Sequence, residues 1–138
     1  MKRLATALIV AAAALAVTAS TASAKFEFFE TPSGNIGCVI SGKGARCDIQ
    51  NHSWPTPAPP PSCMDLDYGN GVEVAKKGRG RYVCAGDTVF SPSARVLGYG
   101  DRISKKRFRC ASKTKGVRCV NRRNGHGFFI SSGDVRLF

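Results

Sequence analysis

The sequence predicts an all-β protein: a small antiparallel β-sandwich or barrel built of short hairpins and stapled by disulfides. Three observations predict it. No segment beyond residue 24 sustains the 3.6-residue apolar period of a long helix. Short runs of β-branched and aromatic residues alternate with Gly, Pro and Asn turn signals. Six cysteines, all beyond residue 24, include a cassette used twice: Cys38–Cys47 reads CVISGKGARC and Cys110–Cys119 reads CASKTKGVRC. Both copies put eight residues between the cysteines and close on Lys-Gly-x-Arg-Cys.

Residues 1–24 read as an export signal. Met1-Lys2-Arg3 is cationic, Leu4 to Val17 is almost wholly apolar, and Ala22-Ser23-Ala24 supplies the small residues of a cleavage site, so Lys25 is the expected first mature residue. The apolar run falls short of the ~20 residues that span a bilayer, and no cysteine follows the cleavage site to carry a lipid. The expectation is a secreted, extracellular chain, a single domain over 25–138, with no transmembrane segment after cleavage.

The expected strands follow in order. Phe26-Glu27-Phe28 alternates, then comes the first cassette. Asn70-Gly71 is a turn signal introducing Val72-Glu73-Val74, followed by Arg81–Cys84, Thr88-Val89-Phe90 and Arg95–Leu97. Arg107–Cys110 and Val117–Val120 form the second cassette's hairpin, Asn124-Gly125 turns the chain into Gly127–Ile130, and Val135–Phe138 closes an edge. Pro55–Pro61, with five prolines, reads as an extended polyproline connector pinned at Cys63.

Within each cassette a tip loop of two or four residues sets Cys38 opposite Cys47 and Cys110 opposite Cys119. Opposed Cα atoms lie ~4.5–5.5 Å apart, within disulfide reach. Burial selects this register in the first copy, because it gathers Ile36, Cys38, Ile40, Ala45, Cys47 and Ile49 on one face, with Ser41, Arg46 and Asp48 on the other and Val39 as the exception there. A slip of one residue would expose half of the apolar set. Cys63–Cys84 follows by subtraction. The spacing is not that of a zinc site, and neither metal nor cofactor is expected.

Charge supplies the functional expectation. Without Lys2 and Arg3, 19 basic side chains face 9 acidic ones, a net charge of about +10. Such an excess favours anionic partners. The second cassette, given the same geometry, buries Phe108, Cys110, Val117 and Cys119 and turns Arg107, Arg109, Arg118 and Arg122 outward, with Lys113 near the tip. Arginine forks match phosphate and carboxylate. Lys76, Lys77, Arg79, Arg81, Lys105 and Lys106 are candidates to extend the stripe. His126, between Gly125 and Gly127, and Trp54, beside the proline run, are the other candidate functional residues. His52 would join His126 as an acid/base pair only if the fold brings the two together.

Other motifs fail on inspection. Asp65-Leu66-Asp67 opens like a calcium loop, but Gly69 and Lys76 occupy the fifth and twelfth positions, where ligands belong, and Asn70 stands at the sixth, where the loop needs glycine. Ser112-x-x-Lys115 lies on a hairpin tip, the wrong context for a serine–lysine nucleophile. Pairing of all six cysteines leaves no thiol for catalysis. Asn51-His52-Ser53 is a glycosylation sequon in a host that glycosylates.

The strings TPSGNIGC, CAGDTVF, VLGYGD, RFRC…GVRC and NGHGFFIS, in that order from about Phe28 to Phe138, resemble a family of small secreted actinobacterial proteins catalogued as a domain of unknown function. The resemblance implies export and disulfides, and no catalytic residue. The sequence is thus read as a basic secreted protein without catalytic function, whose partner is an anionic polymer of the cell envelope or a nucleic acid. The alternatives are a phosphodiester hydrolase using His126 with Glu27, Glu30 or Glu73, and a protein–protein module such as a protease inhibitor presenting Trp54–Pro61.

Overall fold

The computed structural model describes residues 25–63 and 65–138; the expected export signal lies outside the described residues. Eleven strands form two sheets. The first sheet contains β1 (Phe26–Glu30), β2 (Ile36–Ser41), β3 (Gly44–Ile49), β4 (Asp67–Ala75), β5 (Arg81–Ala85) and the short β6 (Arg95–Val96), in the order β5-β4-β3-β2-β1-β6. Only β6 runs parallel to its neighbour, β1. The second sheet is a plain meander of β7 (Arg102–Lys105), β8 (Phe108–Lys113), β9 (Gly116–Asn121), β10 (Gly127–Ile130) and β11 (Val135–Leu137). The described residues contain no α-helix, only a 3₁₀ turn at Pro61–Cys63. Two open sheets packed face to face make a sandwich, and not a closed barrel.

The two cassettes are the β2–β3 and β8–β9 hairpins. Cys38 pairs in register with Cys47, and Cys110 with Cys119, each at a Cα–Cα distance of 4.1 Å, and the third bond joins Cys63 to Cys84. The tips differ, four residues between Ile40 and Ala45 but two between Lys113 and Gly116, yet both are even. Parity alone keeps the cysteines on one face. Ile36, Ile40, Ala45 and Ile49 from one cassette and Phe108 and Val117 from the other fill the same core. Phe29 and Phe128 are fully buried beside them.

Four expectations are corrected. Asn70-Gly71 lies within β4, at an irregularity in its pairing with β5, and makes no turn. Gly71 is required there because it pairs with Asp48, whose Oδ1 would lie 2.4 Å from a Cβ. Thr88–Phe90 is a loop over the outer face of the first sheet, where the Val89 amide and the Thr88 hydroxyl donate to Asp48. Trp54, the candidate functional residue beside the proline run, offers no open ring: it is 8% exposed, stacked on His52 at 3.5 Å, and donates its indole N–H to the Ser131 carbonyl. A buried indole needs such an acceptor. The fourth concerns Arg107, which lies in the two-residue turn between β7 and β8 and not on a strand. Residues 55–62 are exposed throughout, between buried Trp54 and Cys63.

Candidate anion-binding surface

Register places the cations on the second sheet. Arg102, Ala111, Arg118, Phe129 and Arg136 are successive partners across β7, β8, β9, β10 and β11. Partners across a sheet project from the same face, and the buried Ile103, Cys110, Cys119 and Phe128 flank this row on the other. Arg109 and Lys113 share Ala111's face. The Arg118 guanidinium lies 4.7 Å from the Phe138 ring centroid, and that of Arg136 4.5 Å from Phe129. These contacts hold the guanidinium groups against apolar rings. Arg109 Nε reaches the Ser104 hydroxyl at 3.4 Å, and Arg136 meets Asp134 at 3.1 Å.

Arg107 and Arg122 stand apart from that row, at one end of the sandwich. The Arg122 amide donates to the Arg107 carbonyl and its guanidinium to the Lys106 carbonyl, at 2.8 and 3.0 Å. The turns 42–43, 76–80, 106–107 and 122–126 all lie at this end and bring Lys43, Lys76, Lys77, Arg79, Lys106, Arg107, Arg122 and Arg123 together. The two carboxylates nearest this end are already paired, Glu27 with Lys105 and Glu73 with Arg81. Asp67, Asp87, Asp101 and Asp134 lie at the opposite end, where strands β4 and β7 begin and strands β5 and β10 finish. Lys113, Lys115 and Arg102 offset those aspartates at the opposite end. Among the described residues the turn end holds cations without unpaired carboxylates beside them, which concentrates positive potential there.

Asn121 fixes this end. It is fully buried in β9, and its Nδ2 donates to the carbonyls of Ala75 and Lys76 across the sandwich, both at 3.2 Å. Its Oδ1 accepts from the Arg123 amide. One side chain thus ties the turn after β4 to the turn after β9. Lys106 is held differently, with a φ of 51°, the one positive φ at a described residue other than glycine. Left-handed backbone costs a side-chain-bearing residue about 1–2 kcal/mol. The aliphatic stem of Lys106 lies over Gly42, so close that a Cβ there would stand 2.8 Å from Cδ.

The histidines do not meet. His126 is in the turn after β9, whereas His52 bonds to Asn70 and the Trp54 carbonyl, and its neighbour Ser53 bonds to Ser132 beyond the far end of β10. The His126 amide donates to the Asn124 side chain, an Asx turn, and its ring makes no hydrogen bond with a described residue. No group of three His, Cys, Asp or Glu side chains suited to a metal occurs among the described residues.

On the outer face of the first sheet, Arg46 donates to both oxygens of Asp48 and to Asp87 Oδ1 and the Asp87 carbonyl. Burial alone would lower the Arg46 pKa, but its hydrogen bonds to Asp48 and Asp87 and their charges outweigh burial and raise it. This cation is consumed by the fold. Sequence reasoning missed Arg102 and Arg136. The alternation in Val135-Arg136-Leu137 could have placed Arg136, but β7 is too short to signal its face.

The chain belongs to the family of unknown function DUF6636, whose model matches residues 7–138. No curated protein and no solved structure matches it. Three disulfides are consistent with an extracellular protein, and no helix among the described residues is long and apolar enough to cross a membrane.

Proposed function

We propose that this member of the DUF6636 family is a non-catalytic protein that binds an anionic polymer through the outer face of its second sheet and the adjoining turn end. The resemblance to secreted actinobacterial proteins points to a polymer of the cell envelope. The row Arg102, Arg118, Arg136 carries the reading: an arginine on every second strand, with backbones about 9.5 Å apart at the spacing of a sheet. Arg109 and Lys113 flank the row, and Arg107 and Arg122 continue it onto the turn end.

The aromatic rings on this surface are covered. Phe129 and Phe138 lie under Arg136 and Arg118, so neither offers the open ring on which the bases of a single strand stack. Recognition then runs through the repeated charge of a phosphate or carboxylate polymer. Bare nucleic acid is the poorer partner.

The test is binding of the oxidised protein to purified envelope polymers, with single-stranded DNA as comparison, across a salt series. A variant carrying Gln at 102, 109, 118 and 136 is run alongside. If each arginine meets one phosphate, the log–log salt slope falls by roughly 2–3 in the variant, at ~0.7 per contact for a flexible single strand. An unchanged slope would remove the surface from consideration.

A further inference from the structure

The first sheet carries a separate feature on its outer face, where a sandwich ordinarily presents polar side chains. Phe28 and Val39 are register partners there, Phe26 is 47% exposed beside them, and Val89 from the covering loop closes the wall. They line a mostly apolar groove of about 440 Å³, whose lining also holds Arg46 and the carboxylates Glu73 and Asp87, each paired with an arginine. Phe26, Ser41 and Lys43 belong equally to an adjoining cavity of about 460 Å³. Five lysines, Lys25, Lys43, Lys76, Lys105 and Lys106, line that second space, and no carboxylate among the described residues does. Glu27, just outside it, bonds to Lys105.

We propose that these joined spaces bind one molecule of an anionic single-chain amphiphile, with its alkyl chain in the Phe26–Phe28–Val39–Val89 groove and its phosphate or carboxylate head among the lysines. Both volumes fall in the range of small-molecule sites, about 300–1,000 Å³. An apolar trough running into a cluster of like charges matches a ligand with the same division. A polymer with charge along its whole length would leave the trough unfilled.

The backbone at Lys106 supports the assignment independently. Glycine would occupy its left-handed conformation with less strain, yet a lysine is held there with its stem seated on Gly42, and both residues line the cavity. Strain that persists at a ligand-facing residue is a pointer to function. The site shares Lys43, Lys76 and Lys106 with the turn end but uses none of Arg102, Arg109, Arg118 or Arg136, so the arginine variant separates it from the polymer-binding sheet face.

The experiment titrates the oxidised protein with decyl phosphate and dodecyl phosphate below their micellar concentrations. Inorganic phosphate, dodecyl maltoside and anionic vesicles are the other arms, and binding is read by calorimetry. One dodecyl phosphate binds per chain. Each added methylene tightens binding about fourfold, so dodecyl exceeds decyl phosphate by roughly fifteenfold. Inorganic phosphate and the neutral maltoside bind much more weakly. Lys106→Gly loses at least about threefold in affinity for dodecyl phosphate with no loss of thermal stability, a combination that a merely structural lysine would not give. Phe26→Ser, at an exposed position, weakens the dependence on chain length, and the quadruple Arg→Gln variant binds as the parent does. Equal affinity for the two chain lengths would overturn the proposal, as would parental binding by Lys106→Gly. Binding to vesicles without binding to monomeric amphiphile would also overturn it, in favour of a membrane-docking face.

Discussion

The Sγ atoms of Cys47 and Cys119 lie 4.0 Å apart, each fully buried and each already bonded within its own hairpin. Neither carries a hydrogen, so the approach is a packing contact of two disulfides across the sandwich. The repeated cassette thereby has a structural reason. Each sheet contributes one stapled hairpin, and the two staples meet where the sheets pack.

That contact predicts coupling. Replacing Cys38 and Cys47 by Ala, or Cys110 and Cys119 by Ala, should each cost about 3 kcal/mol, near the ~2.7 kcal/mol that chain entropy assigns to a ten-residue loop. The losses should not add, because contacting sites couple by about 0.5–3 kcal/mol. Urea unfolding of the two double variants and the quadruple variant measures the difference. A sum within about 0.5 kcal/mol of the quadruple loss would mean that the disulfide contact carries no energy of its own.

The cassettes were legible because two constraints agreed: a period of two set the faces, and burial of Ile36, Ile40 and Ile49 set the register. Where a feature depended on distant chain, the sequence was silent. Asp48 reads as an exposed strand residue, yet the loop 86–90, some forty positions on, buries it to 8%. Trp54 looks like a surface ring until Ser131 is brought to its indole. The turn at Lys106-Arg107 carries no Gly or Asn, so Arg107 reads as a strand residue, and only the unusual φ of Lys106 makes that corner. The arginine row was therefore found in part, and the lysine cavity, assembled from the N-terminal strand and three turns, was not found.

Asp48 is predicted to hold the covering loop in place. Its carboxylate accepts from Arg46 Nε and Nη2, Thr88 Oγ1 and the Val89 amide, at 2.9 to 3.1 Å. Asp48→Ala leaves Arg46 with Asp87 as its one remaining carboxylate and strips the Val89 amide and Thr88 hydroxyl of their acceptor, and should cost about 2–4 kcal/mol. Asp48→Asn keeps the shape and an acceptor and should cost less. Hydrogen exchange provides the specific readout: the Val89 amide should lose protection in Asp48→Ala while those of β8 and β9 keep theirs at matched stability.

Alkaline pH is predicted to weaken the fold through Tyr82. Burial, and to a lesser degree Tyr68, raises its phenol above the ordinary value of 10.0. The folded state therefore holds the proton more firmly than the unfolded state. That contribution is complete below the unfolded value and is lost as pH rises from there through the folded value. Tyr82→Phe cannot ionise and should show a shallower fall. Urea midpoints of both proteins between about pH 9 and about pH 11 test this; parallel curves would show that Tyr82 contributes nothing to the alkaline slope.

Asn121 offers the sharpest test of how the cationic end is built. Its Nδ2 donates to two carbonyl oxygens, those of Ala75 and Lys76, while its Oδ1 accepts from the Arg123 amide. Asn121→Ala removes these bonds and should cost about 1–3 kcal/mol. Asn121→Asp, although nearly identical in shape, should be worse at neutral pH, because an ionised oxygen then faces two carbonyl oxygens in a buried site. Burial raises the carboxyl's folded pKa above its ordinary ~3.9, so the penalty applies at pH values above that range and fades on acidification. Protonation restores one donor. Urea midpoints, taken relative to the parent at each pH, should therefore rank parent above Ala above Asp at about pH 7, with the Asp deficit shrinking by about pH 4. If instead Asp matched the parent at neutral pH, the amide nitrogen would not be what joins the two turns.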